Sequence, residues 1–277
     1  MAELCRICRK RKVDSFEHVP PRKAFNDQPS TSYGLEDWLA REEGGLKGGK
    51  VEQRGAGAAV LCQPCNSNTG SWYGSELVRA ARSGATILSQ LPLDEFDESL
   101  EPAYATVKFT QQPKIGPHPL RLAKQIIAML LAMSQLDFSL NHPDLGDFVL
   151  DRERTGLDSR YQLYLALFAG PNARTTGVAA RFNAITGKGD ILVEVAYPPF
   201  AYVMTVDSPP EAIETANITE MVDVGYKQMA DLDLGMLVGF GHTPYPADYR
   251  TQAMVERDRE RNLADEQQQP SDGTGGS

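Results

Sequence analysis

The sequence predicts an α+β protein in two parts. The first is an N-terminal module closed on a zinc ion. The second is a mixed α+β domain with an antiparallel sheet and one long buried helix. Three observations carry this expectation. All four cysteines of the 277-residue chain fall in its first 65 residues, as two C-x-x-C pairs. The segment PLRLAKQIIAMLLAMSQLD, Pro119 to Asp137, keeps a helical rhythm and is apolar on its other faces too. Beyond residue 160 the pattern changes to short alternating runs, as strands require.

Bulk properties bound the function. The composition, 41% hydrophobic and 23% charged, is that of a globular protein, and the length suits two domains. The longest apolar run, Ile126 to Met133, falls short of the roughly 18 residues needed to cross a bilayer. MAELCRICRKRK carries no apolar signal region. A cytoplasmic protein without a membrane partner is therefore expected. A net charge of -9 argues against a general nucleic-acid binder, but the charge is uneven. Residues 1–80 hold 12 basic and 10 acidic side chains, residues 81–277 hold 16 and 27. The first third is the side suited to a polyanion, and RICRKRK, Arg6 to Lys12, is its most basic patch, unless that patch is only a solvated turn.

Cys5, Cys8, Cys62 and Cys65 supply the four thiolates of a tetrahedral structural zinc site. Two disulfides would need a secretory route, and a redox C-x-x-C a βαβ context that the Gly- and Pro-rich surroundings do not suggest. CRIC then RKRK reads as a thiolate knuckle on a tight turn. The second pair follows the apolar AAVL and precedes a helix expected from about Ser75 to Arg82, with Ser75 and Asn66 as candidate N-caps. Knuckle, hairpin and helix around one zinc make a treble clef. The 53 residues between the pairs hold an insertion, with a short helix over Leu35 to Arg41 and a Gly-rich loop after it. Trp72 and Tyr73 are expected to pack over the zinc site.

The insertion contains EHVP at Glu17 to Pro20, and the second pair continues as C-x-x-C-N into GSWYG. This combination, over roughly residues 3–82, resembles the HNH, or ββα-metal, nuclease family, in particular its zinc-stapled members. The resemblance implies a metal-dependent endonuclease that hydrolyses phosphodiester bonds in DNA. Such proteins occur in restriction, phage-defence and mobile-element settings. It makes His18 the general base, and histidine is the side chain whose ordinary pKa suits that task. It makes Glu17 a ligand of a catalytic Mg²⁺ or Mn²⁺, Asn66 a second ligand and Glu76 a third. Each has a plainer role: His18 bonded to a backbone carbonyl, Asn66 as an N-cap, Glu76 as a first-turn carboxylate opposing the helix dipole. One feature departs from the family. Many members place an asparagine before the second cysteine pair, where it orients the base. Here Gly57, Ala58 and Ala59 occupy that region, and Asn26 or Gln53 would have to substitute. The rival expectation is a non-catalytic zinc module that binds nucleic acid or protein.

Division of the chain follows: module 1–85, acidic linker 86–102, α+β domain 103–262, disordered tail 263–277. In the second domain, strands are expected at Ala103 to Thr110, Tyr161 to Ala169, Gly177 to Ile185, Ile191 to Tyr197, Pro199 to Asp207 and Gly235 to Gly241, with a short helix at Pro143 to Asp151. His118, His142 and His242 stand beside prolines or in turns, without metal-binding company. The domain's expected part is target choice, a protein partner or self-association.

Overall fold

The computed structural model of the chain describes residues 3–39, 49–91, 104–109, 117–169, 172–183 and 188–239. Much of the acidic linker, most of the Gly-rich loop, His242 and the tail lie outside these residues. The fold is mixed α+β with largely antiparallel sheets, as expected. Its N-terminal part begins with a knuckle closed by a bridge from Leu4 to Lys12. Strand β1 (Ser15–His18) pairs antiparallel with β4 (Gly57–Leu61), and between them β2 (Ser30–Ser32), helix α1 (Leu35–Leu39) and β3 (Lys50–Glu52) form an arm. Two helices follow, α2 (Gln63–Trp72) and α3 (Gly74–Leu88).

Helix α2 corrects the sequence reading, which placed the first helix at Ser75. Its Asn, Ser, Thr and Gly content makes QPCNSNTGSW a poor helix by propensity. The chain nevertheless turns helical at once after Cys62, with Pro64 in the first turn, where a missing N–H costs nothing. Asn66 thus lies inside the helix, and neither it nor Ser75 is the N-cap; that place belongs to Cys62. The second helix also outruns its expected end at Arg82, reaching Leu88. It lies so close to the sheet at Gly84 that a Cβ there would meet the Phe200 ring at 2.5 Å.

The expected long helix is α4 (Pro119–Met133), which ends four residues early; Ser134 and Gln135 are extended, and α5 (Leu136–Asn141) and α6 (Pro143–Leu150) follow. All of α4 but Arg121 and Met133 is buried. It lies between α3 and α6 on one side and a seven-stranded sheet on the other. That sheet runs β5 (Tyr104–Phe109), β11 (Leu232–Gly239), β6 (Tyr161–Phe168), β9 (Phe200–Val206), β8 (Lys188–Tyr197), β7 (Arg174–Asn183), with the short β10 (Ala216–Asn217) bonded to β6. One pairing departs from the antiparallel expectation: β11 meets β6 in parallel through Val238 and Gly239. Alternation places Leu163, Leu165, Val193, Val195 and Met204 in the main core, and Tyr164, Phe168, Leu192 and Val203 in a second cluster on the opposite face.

The main core does not stop at residue 85. Cys5, Ile7, Leu61 and Leu77 belong to the same buried cluster as Ile126, Leu130 and Met204. Polar contacts reinforce the join. Arg6 donates to the Ala132 carbonyl at 2.8 Å and Arg9 pairs with Asp147 at 2.6 Å. A Cβ on Gly146 would meet the Ile7 carbonyl at 2.3 Å, so only glycine lets α6 come this near the knuckle. Tyr73, fully buried, donates to Val149 O at 2.7 Å. Trp72 and Tyr73 therefore pack into the core, Tyr73 at the joint with α6. Two cations of RICRKRK, Arg6 and Arg9, are likewise turned inward.

Lys124, fully buried in α4, donates to the Asp151 carbonyl and lies 4.3 Å from the centre of the Phe148 ring. Burial pushes its amine down to about 8. The unfolded chain holds that proton up to about 10.4. Below pH 8 both states are protonated and the burial penalty is complete. Between pH 8 and about 10.4 the folded state sheds the proton first, so stability rises with pH. Lys124→Met is expected to melt higher than the natural chain at pH 7 and to lack that rise, as followed by thermal melts from pH 7 to 10.

Candidate functional site

The four cysteines come together as the spacing predicts. The first pair sits on a turn in which Arg9 donates its N–H to Cys5 O and Cys5 donates to Arg11 O, both at 2.8 Å; Arg9 takes φ 57° to close it. Arg6 N–H bonds Val60 O at 3.1 Å and so lays the knuckle beside β4. Cys62 caps α2 and Cys65 lies in its first turn. The four sulfurs lie within 4.8 Å of one another, three on buried residues, and none is in a disulfide. A tetrahedron with metal–sulfur bonds of about 2.3 Å has corners about 3.8 Å apart. Cys8 and Cys62 are separated by 3.8 Å. The donor set and spacing fit a structural metal ion such as zinc. The thiol chemistry agrees. A hydrogen bond from Cys65 pulls Cys5 down to about 4, and the same bond, with burial, pushes Cys65 far up. Four thiolates, three of them on buried residues, cannot share so small a space without a dication.

The strand between the pairs carries the other candidates. In β1, Phe16 faces Ala59, Glu17 faces Ala58 and His18 faces Gly57. The rings of Phe16 and His18 meet edge to face at 5.0 Å, so these two share one side. Glu17 points to the other side, where Ala58 meets the core. It is 8% exposed, has no hydrogen-bond or ion-pair partner among the described residues, and burial lifts its carboxyl to about 7. His18 Nε2 is buried and unpartnered. Burial first, then the charge of Arg22, holds the ring below the ordinary histidine range; the Arg54 backbone carbonyl opposes this.

Asn66 reaches β1 from α2. Its Nδ2 donates to Ser15 Oγ at 2.6 Å and to Phe16 O at 2.9 Å. Its Oδ1 has no hydrogen bond among the described residues. The Glu17 carboxylate and the Asn66 amide oxygen are the hard donors that Mg²⁺ or Mn²⁺ accepts. Among the described residues, neither Glu17 nor His18 belongs to a close group of three or more His, Cys, Asp or Glu side chains.

Glu76, the third candidate, is set elsewhere. It is 4% exposed and its oxygens are occupied: His118 Nδ1 at 3.0 Å on one, Arg79 Nη1 at 3.0 Å and the His118 N–H on the other. This network joins α3 to the start of α4, a structural role rather than a ligand's. His118 and His142 do cap or turn: His142 lies between α5 and α6 and bonds Tyr161 Oη at 3.0 Å.

Asn26 is the residue that sequence reasoning could only name as a stand-in. It is fully buried, donates to Pro20 O at 2.6 Å and Ala56 O at 2.7 Å, and accepts the Ala56 N–H at 2.6 Å. It pins the turn after His18 to the chain entering β4. Gly55, at φ 94°, clears its path, since a Cβ there would meet Asn26 O at 2.3 Å. Gln53 is exposed. Nothing in the sequence marks Asn26, because its partners are backbone groups, two of its three bonds reaching Ala56, 30 residues away.

Comparison of the chain with protein-family models, curated proteins and solved structures found no match. No helix among the described residues is long and apolar enough to cross a membrane.

Two outcomes test this geometry. Purified protein is expected to carry one equivalent of zinc by elemental analysis, and Cys65→Ser to lose it and unfold at lower denaturant. Asn26→Ala removes three hydrogen bonds, one buried and two part-buried, and should cost about 3 kcal/mol by denaturant titration, at about 1 kcal/mol each, without changing the zinc content.

Proposed function

We propose that this chain is a metal-dependent endonuclease of the HNH, ββα-metal kind, acting on phosphodiester bonds in DNA. One observation carries the reading: the hairpin bearing Glu17 and His18 and the helix bearing Asn66 both spring from the four-cysteine cluster. Knuckle, hairpin and helix then make a treble clef. Glu17 and Asn66 Oδ1 would hold Mg²⁺ or Mn²⁺, with water and substrate phosphate completing the shell, as these ions prefer. Bound there, the cation would stabilise charge on the phosphate and the leaving oxygen. His18, kept below its ordinary value by burial, is neutral at pH 7 and able to take a proton from the attacking water. Glu17 and His18 face opposite sides of β1, so one phosphate reaches both only at the strand's end, where the chain leaves β1 at Val19. The C-terminal domain would then choose the target or a protein partner, or carry self-association.

The same opposed side chains favour a second reading, a zinc-held binding module without chemistry. Incubation with supercoiled plasmid and Mg²⁺ or Mn²⁺ separates the two. The endonuclease reading expects nicking, and a loss of at least ~100-fold in His18→Ala with its zinc content intact. Absence of nicking with either metal, on double- or single-stranded DNA and on RNA, leaves the binding module.

A further inference from the structure

The large hydrophobic side chains left exposed are unevenly placed. Of the seven among the described residues, five (Phe16, Phe25, Tyr33, Leu35 and Val51) lie between the two cysteine pairs. Phe25 is the most informative. The residue is 48% exposed and its backbone sits at φ 67°. That left-handed conformation is an outlier for a bulky residue, at a cost on the order of 1 kcal/mol. The neighbours explain how it persists. Ala24 is 1% exposed and bonds Pro21 O; Asn26 is fully buried and bonds Arg22 O, Pro20 O and Ala56. Tyr197 Oη donates to the Phe25 carbonyl at 3.2 Å. Both flanks and the carbonyl are anchored, while Phe25 itself stays exposed.

Cations surround it. Arg22 begins the turn that ends at Phe25, Lys23 follows, and all three are exposed. Arg54, also exposed, stands across from them, and the guanidinium groups of both Arg22 and Arg54 act on His18. Neither arginine has an ion-pair partner among the described residues. Phe16 extends the apolar surface on the other side of His18. Exposed rings alternating with unpaired guanidinium groups are what a single nucleic-acid strand requires, since every base has a face to stack and every nucleotide a phosphate. A duplex keeps its base faces inside and offers phosphates alone.

We propose that the face around His18 takes an unpaired nucleic-acid strand, with Phe25 and Phe16 as stacking surfaces and Arg22 and Arg54 as phosphate contacts. This deepens the endonuclease reading, on which it rests for the choice of a polyanion, by naming the substrate form: a single strand, a bulge or a frayed end.

The test is fluorescence anisotropy of the zinc-loaded full chain with a labelled oligonucleotide of about 12 nucleotides, single-stranded and then as a duplex, without added divalent cation. Binding is thereby read separately from cleavage, so an inactive protein in the plasmid assay leaves this result standing. The single strand is expected to bind at least about tenfold tighter than the duplex. Phe25→Gly keeps the left-handed backbone without the ring. It should melt no lower than the natural chain, lose about 5- to 150-fold on the single strand, and leave the duplex unaffected. Arg22→Ala with Arg54→Ala should lower the single-strand salt slope by about 1.4. Equal affinity for the two forms, no binding to either, or a Phe25→Gly protein that binds the single strand like the natural chain would overturn the proposal.

Discussion

Four sulfur atoms hold the N-terminal third of this protein in place. Between Cys8 and Cys62 the chain runs 53 residues, with two short hairpins and one short helix to show for it. Closing a loop of that length costs about 4 kcal/mol of chain entropy, more than pairings of three and four residues supply. A tetrahedral zinc on four thiolates is worth about 10 to 16 kcal/mol in small modules. A metal ion held by the four sulfurs would thus be large enough a contribution to organise the insertion. The small hairpin of β2 and β3 is decoration on a framework that the cluster closes.

That framework is not a separate bead. The knuckle's outward residues are spent on the second domain, through Arg6 to Ala132 and Arg9 to Asp147, and Ile7 lies in the shared core. Helix α3 continues the module directly onto the sheet at Phe200, and Glu76 with His118 locks it to α4. Such a joint transmits rigidity both ways: order at the sulfurs supports α4 and α6, and the sheet steadies the helix that carries Asn66.

The candidate site shows the opposite economy. Glu17 is buried without a partner, His18 Nε2 is buried without a partner, and Phe25 sits in a strained conformation with its ring in water. Each costs folding free energy, and all three lie within nine residues of one another on a turn that Asn26 pins with three hydrogen bonds. Local cost thus sits beside local rigidity on this turn.

Much of this was legible in the sequence. Spacing of the cysteines foretold the cluster, because two C-x-x-C pairs put thiols where only a few residues of backbone can intervene. Alternation foretold β5, β6, β8 and β9, and the apolar run foretold α4, because burial leaves a period in the chain. Other features had no such trace. The residues of α2 disfavour a helix, and packing of Cys65 and Thr69 decides the matter. Glu76 looked like a ligand until His118, 42 residues on, claimed its oxygens. Asn26 looked like any turn residue until its partners at Pro20 and Ala56 were in place. By itself, the sequence determined which groups are present and which periods they follow, since composition and local geometry are written residue by residue. Only the tertiary structure decided which of those groups meet, which side of a strand they face and which are left without a partner, since these depend on contacts between segments far apart in the chain.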